Sequence, residues 1–171
     1  MSAAVEIVEI RAYEPESLEQ LAGLLIDAVE SGASVGFLPP LSKDEAVNYW
    51  KSALEPGVVL WAAKLDQTIV GTVQLQLAQK KNAAHRAEIA KLMVHTRSRR
   101  NGIARALMLA AEERARAESR TLLVLDTRAG DPSNLLYRSL GYVEAGRIPR
   151  YARSADGSLS DTVFYYKEVG L

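Results

Sequence analysis

The segment from Leu92 to Ala104 limits what this chain can fold into more than any other stretch. Leu92-Met93-Val94 is apolar and strand-like, His95-Thr96-Arg97-Ser98-Arg99-Arg100-Asn101-Gly102 is a short basic loop, and a helical run opens at Ile103. A strand that enters a helix through a glycine-bearing loop leaves the first helical amides without intrahelical partners, with the positive end of the helix dipole behind them. The segment therefore predicts an anion cradle. Gly102 and Ala104 are small enough to let a phosphate approach the backbone, and arginines at 97, 99 and 100 add charge.

The flanking patterns say what surrounds that cradle. Val5, Ile7 and Ile10 predict a strand, and Ser17 is expected to cap a helix from Leu18 to Glu30 with Leu21, Leu24, Leu25, Ala28 and Val29 on its buried face. Gly32 to Pro40 reads as a long loop, and Ser42 with Glu45 has capping-box spacing before a second helix that stops at Pro56-Gly57. Val58–Leu65 and Ile69–Leu77 form a hairpin-like pair, and Glu88–Val94 follows as a strand. Helix Ile103–Ser119, strand Leu122–Asp126 and short helix Pro132–Leu140 come next. Tyr142-Val143 and Thr162–Val169 supply closing strands around an Asp156-Gly157 turn. A hairpin, then β-α-β-α, then a final strand pair predicts an α/β fold with a mixed, mostly antiparallel central sheet and helices on both faces. Its 171 residues are expected to form one domain.

Composition removes several kinds of chemistry. Lysine plus arginine equals aspartate plus glutamate, 21 against 21, so no global field draws the chain to nucleic acid or an anionic membrane. The arginines of the loop have no interleaved aromatic platform, and no nucleic-acid partner is expected. Cysteine is absent, which excludes disulfides and a cysteine acyl-enzyme. His85 and His95 lack companions at ligand spacing, so no metal is expected. Met1 to Glu9 is acidic and without a long apolar run, so a cytoplasmic protein with no membrane partner is expected. No heptad compels self-association, and a homodimer stays open.

Arg99-x-x-Gly102-x-Ala104, placed after Leu92-x-Val94 and before a helix, strand and second helix, resembles the coenzyme loop of the GNAT superfamily of acyl-CoA N-acyltransferases. Asn134-Leu135-Leu136-Tyr137 with Ser139-Leu140-Gly141-Tyr142 resembles that family's second helix and its leucine-glycine-aromatic end. A narrower likeness, carried by Gly32–Phe37, Ala87–Val94 and Leu125–Gly130, is to tabtoxin-resistance acetyltransferases. The resemblance implies a GNAT fold and direct acetyl transfer from acetyl-CoA, in a ternary complex, to the amine of a small molecule. A β-lactam amino acid is one candidate acceptor, and antibiotic or toxin resistance one candidate role. Coenzyme contacts are then expected from Met93, Val94, Arg99, Arg100, Asn101, Gly102, Ile103, Ala104, Arg105, Asn134 and Tyr137. The chain departs from many members in having Arg100-Asn101 where a glycine is common, and alanine at 104; neither change removes a backbone donor.

An ammonium has no lone pair, so such a transfer needs a base, an oxyanion donor and an acid for the leaving thiolate. The resemblance puts Glu88 first as base, although an exposed strand-end glutamate paired with Arg86 or Lys91 fits the same sequence. Asp126 ends an apolar strand where open α/β sheets form their ligand crevice, and serves as second base, ammonium anchor or loop stabiliser. The family's tyrosine, here Tyr137, protonates the thiolate; a core tyrosine is the alternative. Asn134 either orients the pantetheine arm or caps the helix. Ser34, Phe37 and Tyr151, with Glu88 and Asp126, are expected to meet the acceptor. A non-catalytic acyl-CoA-binding module and a protein N-terminal or lysine acetyltransferase remain as alternatives.

Overall fold

The computed structural model describes residues 4–170. The chain runs β1 (Glu6–Ile10), α1 (Pro15–Glu30), α2 (Lys43–Ala53), β2 (Val58–Leu65), β3 (Thr68–Leu77), β4 (Arg86–Val94), α3 (Ile103–Ala117), β5 (Leu122–Arg128), α4 (Ser133–Ser139), β6 (Val143–Arg153) and β7 (Leu159–Glu168). The strands make one sheet in the order β1-β2-β3-β4-β5-β7-β6. Every adjacent pair is antiparallel except β4 with β5. That is the mixed, mostly antiparallel sheet expected.

Alternation along the strands loads both faces. On one face Ala87, Ile89, Leu123, Leu125, Val163 and Tyr165 pack against Ile103, Leu107, Met108 and Ala111 of α3 and Tyr137 of α4. On the other, Leu60, Ala62, Ile69 and Met93 pack against the apolar stripe of α1 and against Ala46 and Trp50 of α2. Trp50 is fully buried and its indole N–H donates to the Leu21 carbonyl at 2.8 Å, which ties α2 to α1 without leaving the ring's donor unpaired.

Several boundaries move by one to three residues, and two of the differences have a clear physical reason. Helix α1 begins at Pro15, two residues before Ser17, and Glu14 takes the cap position with no side-chain bond. Proline at the first helical position has no N–H to satisfy and a φ already suited to the helix, so Ser17 falls inside the first turn. Strand β6 runs from Val143 to Arg153 rather than stopping near Val143, and almost all of it is exposed. Its sequence carries no alternation because it is an edge strand, and its shape comes from pairing with β7. By contrast Ser42 caps α2 as its spacing predicts, accepting from the Glu45 N–H at 3.1 Å.

Candidate active site

The sheet is split at its one parallel pair. Strands β4 and β5 are in register only from Arg86↔Leu122 to Glu88↔Val124. Beyond that β4 continues to Val94 without β5 beside it, while β5, paired with β7 along its whole length, runs on to Arg128. The cause is local. Between Gln74↔Ala90 and Thr72↔Met93, β4 spends one more residue than β3. Lys91 sits in this bulge at φ 53°, and its carbonyl accepts from Thr72 Oγ1 at 3.1 Å. A bulge bends its strand and raises the local twist. It also reverses the facing of the later β4 residues, so that Ile89 packs on the α3 side and Met93 on the α1 side.

At the C-terminal end of the split the anion cradle takes shape. Gly102 caps α3 at φ 74° with no side-chain bond, and the first helical N–H to reach back is that of Ala106, to Gly102 O at 3.1 Å. The amides of Ile103, Ala104 and Arg105 therefore have no helical acceptor. No acidic residue occupies the first turn to compete for them. Arg100, at φ 66°, helps to fold the loop so that its backbone turns toward the helix start.

Side chains within the cradle divide into two groups. Ile103 and Met93 are buried in the two cores, which leaves only their backbones for a ligand. Arg99 is exposed but bonded to the protein itself: Nε donates to the Val94 carbonyl at 3.2 Å and Nη2 to Ser31 Oγ at 3.1 Å, so its guanidinium braces the loop against the end of α1. Thr96 is pinned to the same helix, its N–H and Oγ1 donating to Asp27 at 2.9 and 2.8 Å. Asn101 Nδ2 donates to Ser98 O at 3.2 Å. Arg105 reaches Ser139 Oγ of α4 at 2.6 Å, linking the two helices that flank the gap.

The chemical groups lie on opposite faces of the split. Glu88 is in register with Val124; Asp126 is two residues further along β5 and in register with Phe164, so both carboxylates face the α1–α2 side. Each is solvent-reachable, yet each is surrounded by enough protein that desolvation raises its carboxyl above the usual range. Glu88 is pushed further the same way by the negative charge of Asp126. Lys91 and Arg86 oppose that through space, but among the described residues neither closes an ion pair with Glu88.

Tyr137 is on the α3–α4 face, buried to 6% exposure, with its ring 6.0 Å from that of Tyr142 and 5.9 Å from that of Tyr165. Burial, followed by the charges of Asp126 and Asp131, pushes its phenol far above its ordinary value. Tyr142 OH donates to Glu112 and Tyr165 OH to Asn134, at 3.3 and 2.7 Å. Among the described residues Tyr137 alone of the three has no partner for its hydroxyl.

Asn134 is committed to the protein itself. Its Nδ2 donates to the carbonyls of Arg128 and Asp131 at 3.0 and 2.9 Å, and its Oδ1 accepts from Tyr165. The side chain fastens the β5–α4 turn; only one lone pair is left for any ligand. Ser34 and Phe37 line a cavity of about 240 Å³ between the α1–α2 loop and the β6–β7 hairpin. Tyr151 lies beside that cavity rather than in its wall, half-exposed, its ring edge-on to Phe164 at 5.7 Å.

Three residues of this region were not singled out from the sequence. Arg128 holds it together, with Nε on Asp131 at 3.0 Å, Nη2 on the Gly32 carbonyl at 2.9 Å and Nη1 on Ser154 Oγ at 3.4 Å. Tyr49 of α2 accepts from Gln74 Nε2 at 2.9 Å and meets Phe37 edge-on at 5.4 Å. Lys91 stands over the Tyr49 ring, its Nζ 5.7 Å from the centroid. Only Lys91 left a trace in the sequence, as a charge inside an apolar strand. The contacts of the other two are made across distant segments. No group of His, Asp and Glu among the described residues could hold a metal, and no described helix is long and apolar enough to cross a membrane.

A seven-stranded mixed sheet, split at its one parallel pair and followed by a helix that starts at a glycine, is an α/β fold with an open strand edge beside free helix amides. The model of the acetyltransferase (GNAT) family matches residues 23–142. A curated relative, an uncharacterized N-acetyltransferase from the hisH-hisA intergenic region of Azospirillum brasilense, is 33% identical over 127 residues, 72% of this chain and 76% of the relative. The ribosomal-protein-alanine N-acetyltransferase of Brucella melitensis superposes with a TM-score of 0.80 at 22% identity, over 95% of this chain and 99% of that one. The yncA structure from Salmonella typhimurium, solved with its cofactor acetyl-CoA, gives 0.77 at 14% identity, over 95% and 94%. The chain belongs to the GNAT family of acetyltransferases.

Proposed function

We propose that this protein transfers the acetyl group of acetyl-CoA directly to the amine of a small molecule. The observation that carries this is the division of labour across the split sheet: two carboxylates on one face, an unpartnered phenol on the other, and an open gap between β4 and β5 that leads to free helix amides.

The residues present fit the coenzyme. The amides of Ile103, Ala104 and Arg105, with Gly102 leaving the approach clear, suit a pyrophosphate, and the unpaired edge of β4 up to Val94 suits the amides of a pantetheine arm as one strand suits another. Arg100 and Asn101, both exposed, stand at the mouth, as does Arg105. When bound, the coenzyme supplies an activated thioester. On the α1–α2 face Glu88, with Asp126 beside it, accepts the proton that the acceptor ammonium must lose; its raised carboxyl is the better matched to that task near neutral pH. On the α3–α4 face Tyr137 gives its phenolic proton to the departing sulfur. Burial holds that phenol in its neutral, donating form. A backbone N–H near Met93 or Val94 steadies the oxyanion. Ser34, Phe37 and Tyr151 shape the acceptor's surroundings.

One domain, a cytoplasmic setting and a detoxifying role belong to the same proposal. The detoxifying role is supported by the sequence likeness at Gly32–Phe37, Ala87–Val94 and Leu125–Gly130 to tabtoxin-resistance enzymes. The test is release of free coenzyme A thiol from acetyl-CoA across a broad amine panel, with the products identified by mass spectrometry. Acetylated small amines are the expected result. Saturable coenzyme binding with no thiol release from any amine would instead support a non-catalytic module, and acetylation confined to peptide N-termini or lysines would reassign the acceptor.

A further inference from the structure

A lysine at the bulge of β4 adopts φ 53°, a region in which a residue with a Cβ is strained. The fold needs a bulge there to part β4 from β5, but a bulge does not need a cation. Its ammonium is half-buried under the loop between α1 and α2. Nζ lies 3.6 Å from the place a Cβ on Gly36 would take and 5.7 Å from the centroid of the Tyr49 ring. Gly36 also lines the cavity of about 240 Å³ that the loop shares with the β6–β7 hairpin. Among the described residues no carboxylate forms an ion pair with Nζ and no carbonyl accepts from it. Glu88 and Asp126 act on it only through space.

A part-desolvated ammonium that meets the face of a tyrosine ring but, among the described residues, no hydrogen-bond acceptor or ion-pair partner is complementary to an anion. The neighbourhood as a whole presents two carboxylates and one ammonium on a single face of the sheet. Two carboxylates suit the ammonium of an acceptor before it is deprotonated, and the remaining cation suits a negative group carried by the same molecule. We propose that Lys91 is a specificity-determining residue, receiving the carboxylate of the amine that is acetylated, so that the acceptors are amino acids rather than simple amines. Lys91's role rests on the acetyltransfer reading proposed for the site.

The test compares free amino acids with their matching carboxamides as acceptors for the full-length protein and acetyl-CoA. It also measures equilibrium binding of the same pairs in the presence of coenzyme A. The best amino acid is expected to exceed its carboxamide by about tenfold to a hundredfold in kcat/KM, mainly through KM, the scale of one charge-assisted hydrogen bond. Lys91→Met, which keeps the aliphatic stem, is expected to raise KM for the acid and not for the carboxamide, while any change in kcat through the lost charge beside Glu88 falls on both alike, and Lys91→Arg to restore part of the preference. Turnover in which acid and carboxamide are equal, or a Lys91→Met variant whose KM rises to the same extent for both, overturns the assignment of Lys91. If no amine turns over while amino acids still bind more tightly than carboxamides in a Lys91-dependent way, acetyl transfer fails and the recognition stands.

Discussion

Gly71 of β3 is the tightest point beneath the site, and Gly71→Ala is the sharpest test of how the cradle is supported. A Cβ there would meet the Met93 carbonyl oxygen at 3.0 Å, Ile103 Cγ2 at 3.2 Å and Leu107 Cδ1 at 3.2 Å. The backbone of Gly71 is an ordinary extended one, so alanine suffers no strain in φ, and the change lowers the entropy of the unfolded chain by about 0.4–1 kcal/mol. Against that stands the crowding. Ile103 and Leu107 are buried to 2% and 0% exposure and have no room to retreat, and the third neighbour is backbone. Overpacking of this kind costs about 1–3 kcal/mol. The net expectation is a loss of about 1–2 kcal/mol, the crowding outweighing the entropy gain. For a chain of this length that lowers Tm by roughly 2–8 °C. Because Ile103 opens α3, the added methyl also shifts the free amides, and KM for acetyl-CoA is expected to rise more than KM for the acceptor. Urea titration and thermal melting give the stability, and steady-state kinetics the KM values. A variant as stable as the parent, with an unchanged KM for acetyl-CoA, would refute the view that β3, β4 and α3 are packed to contact behind the cradle.

Tyr137→Phe keeps the buried ring and removes a hydroxyl with no protein partner, so stability should hold while kcat falls roughly a hundredfold or more and acetyl-CoA affinity stays nearly constant; single-turnover kinetics would check it. Glu88 and Asp126 have carboxyls raised by burial, so the folded state holds protons more tightly than the unfolded one. Their ionisation therefore lowers stability as pH rises from the usual carboxylate range through the raised folded value. Glu88→Gln and Asp126→Asn are accordingly expected to raise Tm at pH 7 and to lose that advantage near pH 4, while Glu88→Gln also removes the acid limb of the kcat/KM profile; parallel melts and pH–rate curves would show it. Glu112, buried to 1% exposure, accepts from Lys167 at 2.6 Å and Tyr142 at 3.3 Å and lies 3.6 Å from Arg116, away from the gap. Glu112→Ala is expected to cost about 3 kcal/mol, read by urea titration, with activity per folded molecule unchanged.

By itself the sequence determined what depends on neighbours along the chain. The apolar stripe of α1, the Ser42 cap of α2, the strand–loop–glycine–helix passage at 92–104 and the element order from β2 to α4 are all local patterns, and the structure repeats them. Glu88, Asp126 and Tyr137 each hold a fixed place relative to such an element, which is why the sequence, with its family resemblance, could nominate them as candidates. Tertiary structure alone decided which side of the sheet each group serves. The bulge at Lys91 parts β4 from β5 and reverses the strand's facing, and no spacing announces a bulge. Tertiary packing alone placed both carboxylates opposite the tyrosine, committed Asn134 and Arg99 to internal bonds, brought Tyr49 and Gly36 to Lys91, and tied Arg128 to the 32–39 loop. The physical reason is range. Helix caps and turns are made by residues a few positions apart, whereas hydrogen bonds such as Arg128 to Gly32 join positions 96 residues apart, and only the folded sheet brings them within reach.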